Sequence, residues 1–207
     1  MTDSLHDKTV RLIGKITSGL AVHRHAEGVG ETLARLAEHD RAGSRAIVAK
    51  QLPACRFLPA MLREVRAIED GLAAAIAEVA DDLYWRQNPN YSDEAMGQPG
   101  YMKRYAYAEL IGPSGPIEGD DFLLGLMILG PHMHYLDHCH PAPELYWLLT
   151  GPSDWKAGAG GFVPRIAGET VWHQPFRVHA TRTSDTPLLT VWAWTRNVSE
   201  PARLVGG

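Results

Sequence analysis

The feature that most constrains this chain is a change of pattern near its middle. Apolar residues recur with helical spacing up to about residue 85, whereas short β-prone runs separated by Pro, Gly and Asp follow residue 100. The predicted strands are 101–111, 122–130, 144–150, 161–165, 169–173 and 188–195. Many short strands of this kind are typical of a β-sandwich or a small barrel. The sequence therefore predicts an α+β protein, with amino-terminal helices followed by such a β-structure.

The amino-terminal half contains one strong helical signal and one long loop. A single helix is predicted over 61–83, with Pro59 in its first turn. Its apolar stripe, which we expect to face the core, consists of Leu62, Val65, Ile68, Leu72, Ile76 and Val79. Segment 86–100 is polar and rich in turn residues, which fits either a lid over a site or a plain linker. We therefore expect a helical region with this loop over 1–100 and the β-structure over 101–207.

Composition argues against several classes of protein. The chain has 207 residues, of which 45% are hydrophobic, and this is enough for one sizeable core. Its formal net charge is −4 and its basic residues are not clustered, so no nucleic acid is expected as a partner. Neither a signal peptide nor a membrane-spanning apolar run is evident. Only two cysteines, Cys55 and Cys139, are present, which is too few for a disulfide framework and indicates the reducing cytoplasm. We expect a monomer or a homodimer.

The segment from His138 to Tyr146 concentrates the reactive side chains. His138 and His140 are two residues apart, so on an extended strand both imidazoles point to the same face and can converge on one ion. Glu144 and Tyr146 have the same spacing on the next predicted strand, and they bring a carboxylate and a phenol towards the same centre. This pattern indicates a metal site with a candidate catalytic base beside it.

A fourth ligand is expected from further along the chain. His179 lies in a β-prone run and is preferred to His173. A second His-x-His pair, His132 and His134, provides a competing assignment, and Cys139 is a minor one. Three imidazoles and one carboxylate suit a divalent or trivalent transition metal, namely Fe, Mn, Co, Ni or Zn, and argue against a thiolate-rich structural zinc site.

The spacing HxHxxxExxxxxxG, formed here by His138, His140, Glu144 and Gly151 and followed by a later histidine, resembles the metal-binding signature of the cupin superfamily. Within that superfamily, the chain is similar to the cupin-type dimethylsulfoniopropionate (DMSP) lyases of the DddQ group, over roughly residues 122–197. The specific mark is Tyr146, two residues after the glutamate. The resemblance implies amino-terminal helices followed by a carboxy-terminal double-stranded β-barrel that holds the metal inside.

The same resemblance implies a reaction and a set of roles. The expected reaction is a metal-dependent β-elimination that converts DMSP into dimethyl sulfide and acrylate, with Tyr146 as the base. The positive sulfonium group would lie against aromatic faces, for which Tyr135, Trp192 and Trp194 are the candidates. Two other functions stay open: a different metal cupin enzyme, such as a dioxygenase or an isomerase acting on a small carboxylate, and a cupin that binds a small molecule without turning it over.

Overall fold

The structure is a computed structural model that describes residues 3–205. In this part of the chain, four α-helices and one short 3-10 helix (Pro53–Phe57) precede ten strands. The helices are α1 (Leu5–Ala21), α2 (Val29–Glu38), α3 (Leu58–Ile68) and α4 (Asp70–Ala80). The strands are β1 (Tyr105–Ile111), β2 (Leu123–Leu129), β3 (His134–Cys139), β4 (Glu144–Leu148), β5 (Ser153–Ala157), β6 (Val163–Arg165), β7 (Thr170–His173), β8 (His179–Thr183), β9 (Leu188–Trp194) and β10 (Arg203–Leu204). None of the described helices is long and apolar enough to cross a membrane.

The strands form two five-stranded antiparallel sheets that enclose a common interior. The first sheet has the order β1-β2-β9-β4-β7, and the second has the order β10-β3-β8-β5-β6. Side chains from both sheets meet in one cluster between them, for example Tyr146 of β4 and Trp155 of β5. We call this space the barrel interior.

The first sheet is buried on both faces, and its side chains alternate between the two faces except at a register shift near the end of β1. On β1, Tyr105 and Tyr107 point into the barrel interior, whereas Ala106, Ala108 and Leu110 pack against the helices. The strands β2, β4 and β9 alternate in the same way. Since successive side chains of a strand point to opposite faces, an apolar residue is needed at almost every position. The helices thus cover the outer face of the sheet and leave the inner face to the site.

Two glycines let the helical layer lie close to the sheet. A Cβ atom at Gly19 of α1 would lie 2.2 Å from the Trp147 ring. At Gly28, where the backbone has a positive φ of 76°, a Cβ atom would lie 2.0 Å from the Trp172 ring. Both indoles point outwards from the first sheet. Glycine at these two positions therefore fixes the separation between the helices and the sheet.

The prediction of one continuous helix over 61–83 is wrong. The chain forms α3 and α4 instead, and Glu69 between them is extended, with φ −157° and ψ 106°. Each shorter helix turns its own apolar face to the core, which a single straight helix would not allow, and Ile68 at the break is left 37% exposed. The six predicted strands are confirmed with shorter ends. Of the other four strands, β3 and β8 contain the segments of His138 and His179 that were expected to be extended, whereas β5 and β10 were not predicted because their sequences are mostly polar or very short.

The segment 86–100 packs against the opening of the barrel. Tyr91 and Met96 are buried with the aromatic residues of the interior. The side-chain amide of Asn88 donates a hydrogen bond of 2.9 Å to the carbonyl of Ala202, so this segment is linked to the carboxy-terminal part of the chain. A lid function for the segment stays a prediction.

Candidate metal and substrate site

Three of the four predicted metal ligands come together inside the barrel. His140 follows β3, Glu144 begins β4 and His179 begins β8, and one ligand atom of each lies within 4.8 Å of the others. All three side chains are buried. The pairing of β3 with β8 sets His138 opposite His179, and thereby brings the two histidine-bearing strands into the required register.

The hydrogen bonds of these residues test whether the cluster fits a metal ion. His140 has its Nδ1 atom 2.8 Å from the carbonyl oxygen of Ala142 and its Nε2 atom 3.0 Å from Oε2 of Glu144. His179 repeats the arrangement, with Nδ1 2.7 Å from the carbonyl oxygen of Arg177 and Nε2 3.3 Å from the same carboxylate oxygen. An imidazole that ligates a metal through Nε2 keeps its one N–H on Nδ1, where the backbone carbonyl accepts it, and turns the Nε2 lone pair towards the carboxylate. The two nitrogen lone pairs and the carboxylate oxygen repel one another unless a cation lies between them. The cluster therefore fits a metal ion.

The electrostatics of the buried cluster favour the charge states that metal ligands need. Burial alone would raise the pKa of Glu144, but positive charge and hydrogen-bond donors at His140 and His179 outweigh burial and hold the pKa well below its ordinary value. A cation bound between these groups would supply the same positive charge in place of the imidazole protons. Burial lowers the pKa of His138 well below its ordinary value, and His179 lowers it further. The site thus combines an ionised carboxylate with neutral imidazole at His138, as coordination to a divalent ion requires.

His138, the fourth predicted ligand, lies beside the group of three. Its ring is stacked on Tyr135 with centroids 4.0 Å apart, and it meets the His179 ring at the same distance in a T-shaped contact. Its Nδ1 atom is 2.7 Å from the carbonyl oxygen of Leu136, so Nε2 is the atom available for a ligand. Coordination by His138 stays a prediction.

The alternative ligands that the sequence offered have other surroundings. His132 is exposed and pairs with Asp185, and His134 packs against the Phe162 ring. Cys139 lies in the strand between the two histidines and is partly exposed. His173 is different, because it is buried and its ring stacks on His179 with centroids 4.0 Å apart and an interplanar angle of 16°.

Trp194 supports two of the metal-ligand candidates. Its indole Nε1 donates a hydrogen bond of 2.7 Å to Oε1 of Glu144, and its ring stacks on His140 with centroids 4.3 Å apart. The sequence predicted Trp194 as a wall for the substrate, and its hydrogen bond to the carboxylate was not foreseen. Since Oε2 of Glu144 faces the histidines, this bond fixes the rotation of the carboxylate.

A cavity of about 260 Å³ adjoins the cluster inside the barrel. Its lining includes all the predicted substrate and base residues, namely Tyr135, Tyr146, Trp192 and Trp194, together with Glu144. It also includes Tyr105, Tyr107 and Glu109, which the sequence analysis missed. The alternation Tyr-Ala-Tyr-Ala-Glu at 105–109 was the available signal, because small residues facing one way imply that the large ones face the interior.

Tyr146 lines the cavity together with Glu144. Its ring is 4.8 Å from that of Trp155, and it is buried. Burial raises the pKa of Tyr146 well above its ordinary value, and the negative charge of Glu144 raises it further. The phenol therefore requires nearby positive charge before it can lose its proton.

The fold and the site together define a cupin, that is, a double-stranded β-barrel with its histidine and glutamate side chains turned inwards. A sugar phosphate isomerase of the cupin superfamily from Silicibacter pomeroyi has a similar fold, with a TM-score of 0.50 and 20% identity over 62% of this chain and 80% of that chain. Within this class, the chain belongs to the dimethylsulfoniopropionate lyase family, since the profile of that family matches residues 25–190.

A sequence comparison agrees with this family, and a structural comparison agrees with the fold. The dimethylsulfoniopropionate lyase DddQ of Ruegeria pomeroyi is 34% identical over 130 residues, which are 62% of this chain and 60% of that protein. The match therefore spans less than two thirds of the relative's length. A solved structure of the DMSP lyases RdDddP and RnDddQII has a TM-score of 0.77 with 20% identity and covers 98% of this chain and 100% of that chain. At this identity the structural match establishes the fold alone.

Proposed function

We propose that this protein cleaves DMSP by β-elimination and releases dimethyl sulfide and acrylate. The observation that carries the proposal is the cavity lined by Tyr146, two tryptophans and Glu144, because Glu144 also belongs to the buried His–Glu–His group. Membership of the DMSP lyase family supports this substrate, since relatives such as DddQ are described as lyases for it. The protein would thus be a carbon–sulfur lyase.

We propose that one transition metal binds to His140, Glu144 and His179, with His138 as the fourth ligand. Nitrogen and oxygen donors in this ratio suit Fe, Mn, Co, Ni or Zn. When bound, the metal supplies positive charge that favours both the phenolate form of Tyr146 and the charge that develops on the substrate carboxylate. The backbone carbonyls on the Nδ1 atoms orient the imidazoles towards this position.

The elimination would use Tyr146 as the proton acceptor. The phenolate oxygen takes the proton from the substrate carbon next to the carboxylate, and the electrons of that C–H bond form the new carbon–carbon double bond. The bond between the β-carbon and sulfur breaks, and its electron pair leaves with dimethyl sulfide. Tyr146 is well placed for this step because it lines the cavity next to Glu144, one of the proposed metal ligands.

The sulfonium group would be held by the rings of Tyr135, Trp192 and Trp194, which we call the aromatic wall. Trp192 and Trp194 meet at a centroid distance of 6.0 Å, and Tyr135 lines the same cavity. Aromatic faces attract a cation that carries methyl groups, and they exclude water from the reacting carbon. The cytoplasmic location and the monomeric or homodimeric state stay predictions from the sequence.

The test is headspace gas chromatography of dimethyl sulfide, with protein loaded separately with Fe, Mn, Co, Ni or Zn and supplied with DMSP. We expect release by the parent protein and loss of release in Tyr146→Phe, with the bound metal content unchanged. Absence of release with every metal would contradict the proposed reaction. Full turnover by a metal-loaded Tyr146→Phe would contradict the role of the tyrosine as the base.

A further inference from the structure

A carboxylate that takes no part in the proposed elimination lines the part of the cavity formed by β1, which we call its outer half. Glu109 of β1 is 4% exposed and points into the cavity, on the same face of the strand as Tyr105 and Tyr107. A buried carboxylate surrounded by apolar side chains is costly unless cations or hydrogen-bond donors face it. Burial accordingly raises the pKa of Glu109 above its ordinary value.

The contacts of Glu109 satisfy it only in part. Its Oε2 atom accepts a hydrogen bond of 2.7 Å from the backbone N–H of Ser114. Its Oε1 atom lies 3.5 Å from Nη1 of Arg86, whose side chain is 31% exposed and also donates to the hydroxyl of Ser114. The guanidinium of Arg86 also lies over the Tyr107 ring, 5.6 Å from its centroid. Arg86 is therefore the cation that a charged ligand would have to displace from Glu109, and its long contact and partial exposure keep the free-energy cost of that exchange small.

The pairing of the strands connects Glu109 to the reactive end of the cavity. Glu109 is in register with Gly125 of β2, Gly125 with Trp192 of β9, and Trp192 with Tyr146 of β4. Gly125 has no side chain, and a Cβ atom there would lie 2.7 Å from Nε1 of Trp192, so the indole lies across the glycine towards β1. These four residues form a row across the sheet, in which the Trp192 indole lies between the Glu109 carboxylate and Tyr146, the candidate base.

Tyr107 completes the surroundings of this outer half. Its ring makes a T-shaped contact with Trp192 at a centroid distance of 5.8 Å, and it lines the same cavity. Two aromatic rings beside one buried carboxylate form the usual chemistry for recognising an onium cation, a positive centre covered by alkyl groups.

We propose that Glu109, Tyr107 and Trp192 form a subsite for an onium cation in the outer half of the cavity, and that Glu109 selects ligands by their positive charge. The inference deepens the proposed function, on which it rests for the identity of the cation as a sulfonium. The carboxylate acts on binding and takes no proton from the substrate. The subsite favours a sulfonium or a quaternary ammonium over a neutral group of the same shape.

The test is isothermal titration of the full-length protein with two probes. Trimethylsulfonium carries the charge and has no carboxylate, so it cannot undergo the elimination. The second probe, 4-methylpentanoate, has the shape of DMSP with a neutral branch in place of the sulfonium. Glu109→Gln keeps the size of the side chain and an oxygen that can accept from Ser114. We expect this variant to bind trimethylsulfonium about tenfold more weakly and 4-methylpentanoate with unchanged affinity.

Arg86→Gln provides the opposite perturbation. It removes the cation that competes for Glu109, so we expect Arg86→Gln to bind trimethylsulfonium more tightly than the parent does. If the Arg86–Glu109 pair only maintained the structure, Arg86→Gln and Glu109→Gln would both bind the probe more weakly. Glu78→Gln, which removes an exposed carboxylate from α4, is the matched control and should leave both affinities unchanged. Circular dichroism and melting temperatures check that each variant is folded.

The outcomes separate this inference from the proposed function. Failure of the parent protein to bind trimethylsulfonium, or equal affinity in Glu109→Gln, would overturn the subsite. Weaker binding in both Glu109→Gln and Arg86→Gln would overturn it as well. A protein that binds trimethylsulfonium in a Glu109-dependent way but releases no dimethyl sulfide would keep the subsite and lose the proposed reaction.

Discussion

Replacing Trp194 by phenylalanine tests the support of the metal site with a small change. The substitution removes the indole N–H that donates to Oε1 of Glu144 at 2.7 Å and retains an aromatic ring next to His140. Trp194 is 9% exposed and Glu144 is 3% exposed, so water does not readily replace the lost donor. A hydrogen bond to a charged group contributes about 1.5–3 kcal/mol. Since about 1.4 kcal/mol corresponds to a factor of ten, we expect metal affinity to fall about 10- to 100-fold.

The assay is competition for Zn²⁺ or Co²⁺ between the protein and a chromophoric chelator, and the visible spectrum of the cobalt form reports the coordination geometry. Trp192→Phe is a matched control, because Trp192 lies two residues earlier on the same face of β9 and its Nε1 atom is buried with no hydrogen-bond partner within residues 3–205. We expect the control to bind metal as the parent does.

Two results would refute this reasoning. If Trp194→Phe binds metal within about twofold of the parent affinity, the hydrogen bond does not fix the carboxylate for coordination. If Trp192→Phe and Trp194→Phe lose affinity equally, the effect comes from repacking of the aromatic wall and not from the lost N–H. Melting temperatures of the metal-free variants show whether either substitution disturbs the fold.

Three other predictions concern chemistry, packing and pH. Tyr146→Phe should lower kcat for DMSP cleavage by at least about 100-fold, measured by gas chromatography at saturating substrate, because it removes the proton acceptor. Gly28→Ala should lower the free energy of unfolding in urea by about 2–4 kcal/mol, because the new Cβ atom combines the strain of a positive φ with a clash against Trp172. Gly97→Ala introduces the same strain without a clash, so it should cost only about 1–2 kcal/mol. Hydrogen bonds from the backbone N–H groups of Gly100 and Met102 lower the pKa of Asp93. The ionised carboxylate should therefore stabilise the 93–102 turn fully above the ordinary carboxyl pKa, and the stabilisation should disappear as the pH falls through the lowered pKa. Melting curves of Asp93→Asn and parent should then differ at neutral pH and converge in acid.

Much of the site could be predicted from local spacing. His140, Glu144 and Tyr146 lie within seven residues, and a period of two is enough to put alternate side chains on one face of a strand. His179 was selected from the later histidines because it lies in a β-prone run, and the structure brings it to the same group. The choice of this long-range ligand depended on the β-propensity of its segment and not on its spacing from the other ligands.

Other parts of the site depend on strand register, which cannot be predicted from a single sequence. Glu109 belongs to the cavity because β1, β2 and β9 align it with Gly125 and Trp192. The hydrogen bond from Trp194 to Glu144 exists because β9 and β4 set these two residues opposite each other. Both pairings join residues far apart in the chain, so neither local propensity nor periodicity could indicate them.

The sequence by itself determined the order of helices and strands, the alternation that buries both faces of the first sheet, and the residue types that can bind a metal. Those properties follow from interactions between near neighbours along the chain, where side-chain direction repeats every 2 or 3.6 residues. The tertiary structure alone decided the break at Glu69, the position of His138 beside the group of three, and the meeting of Glu109 with the aromatic wall. These three features depend on which distant strands pair and on how the helices pack on the sheet. Local preferences allow several such arrangements, and close packing of the whole core selects one of them.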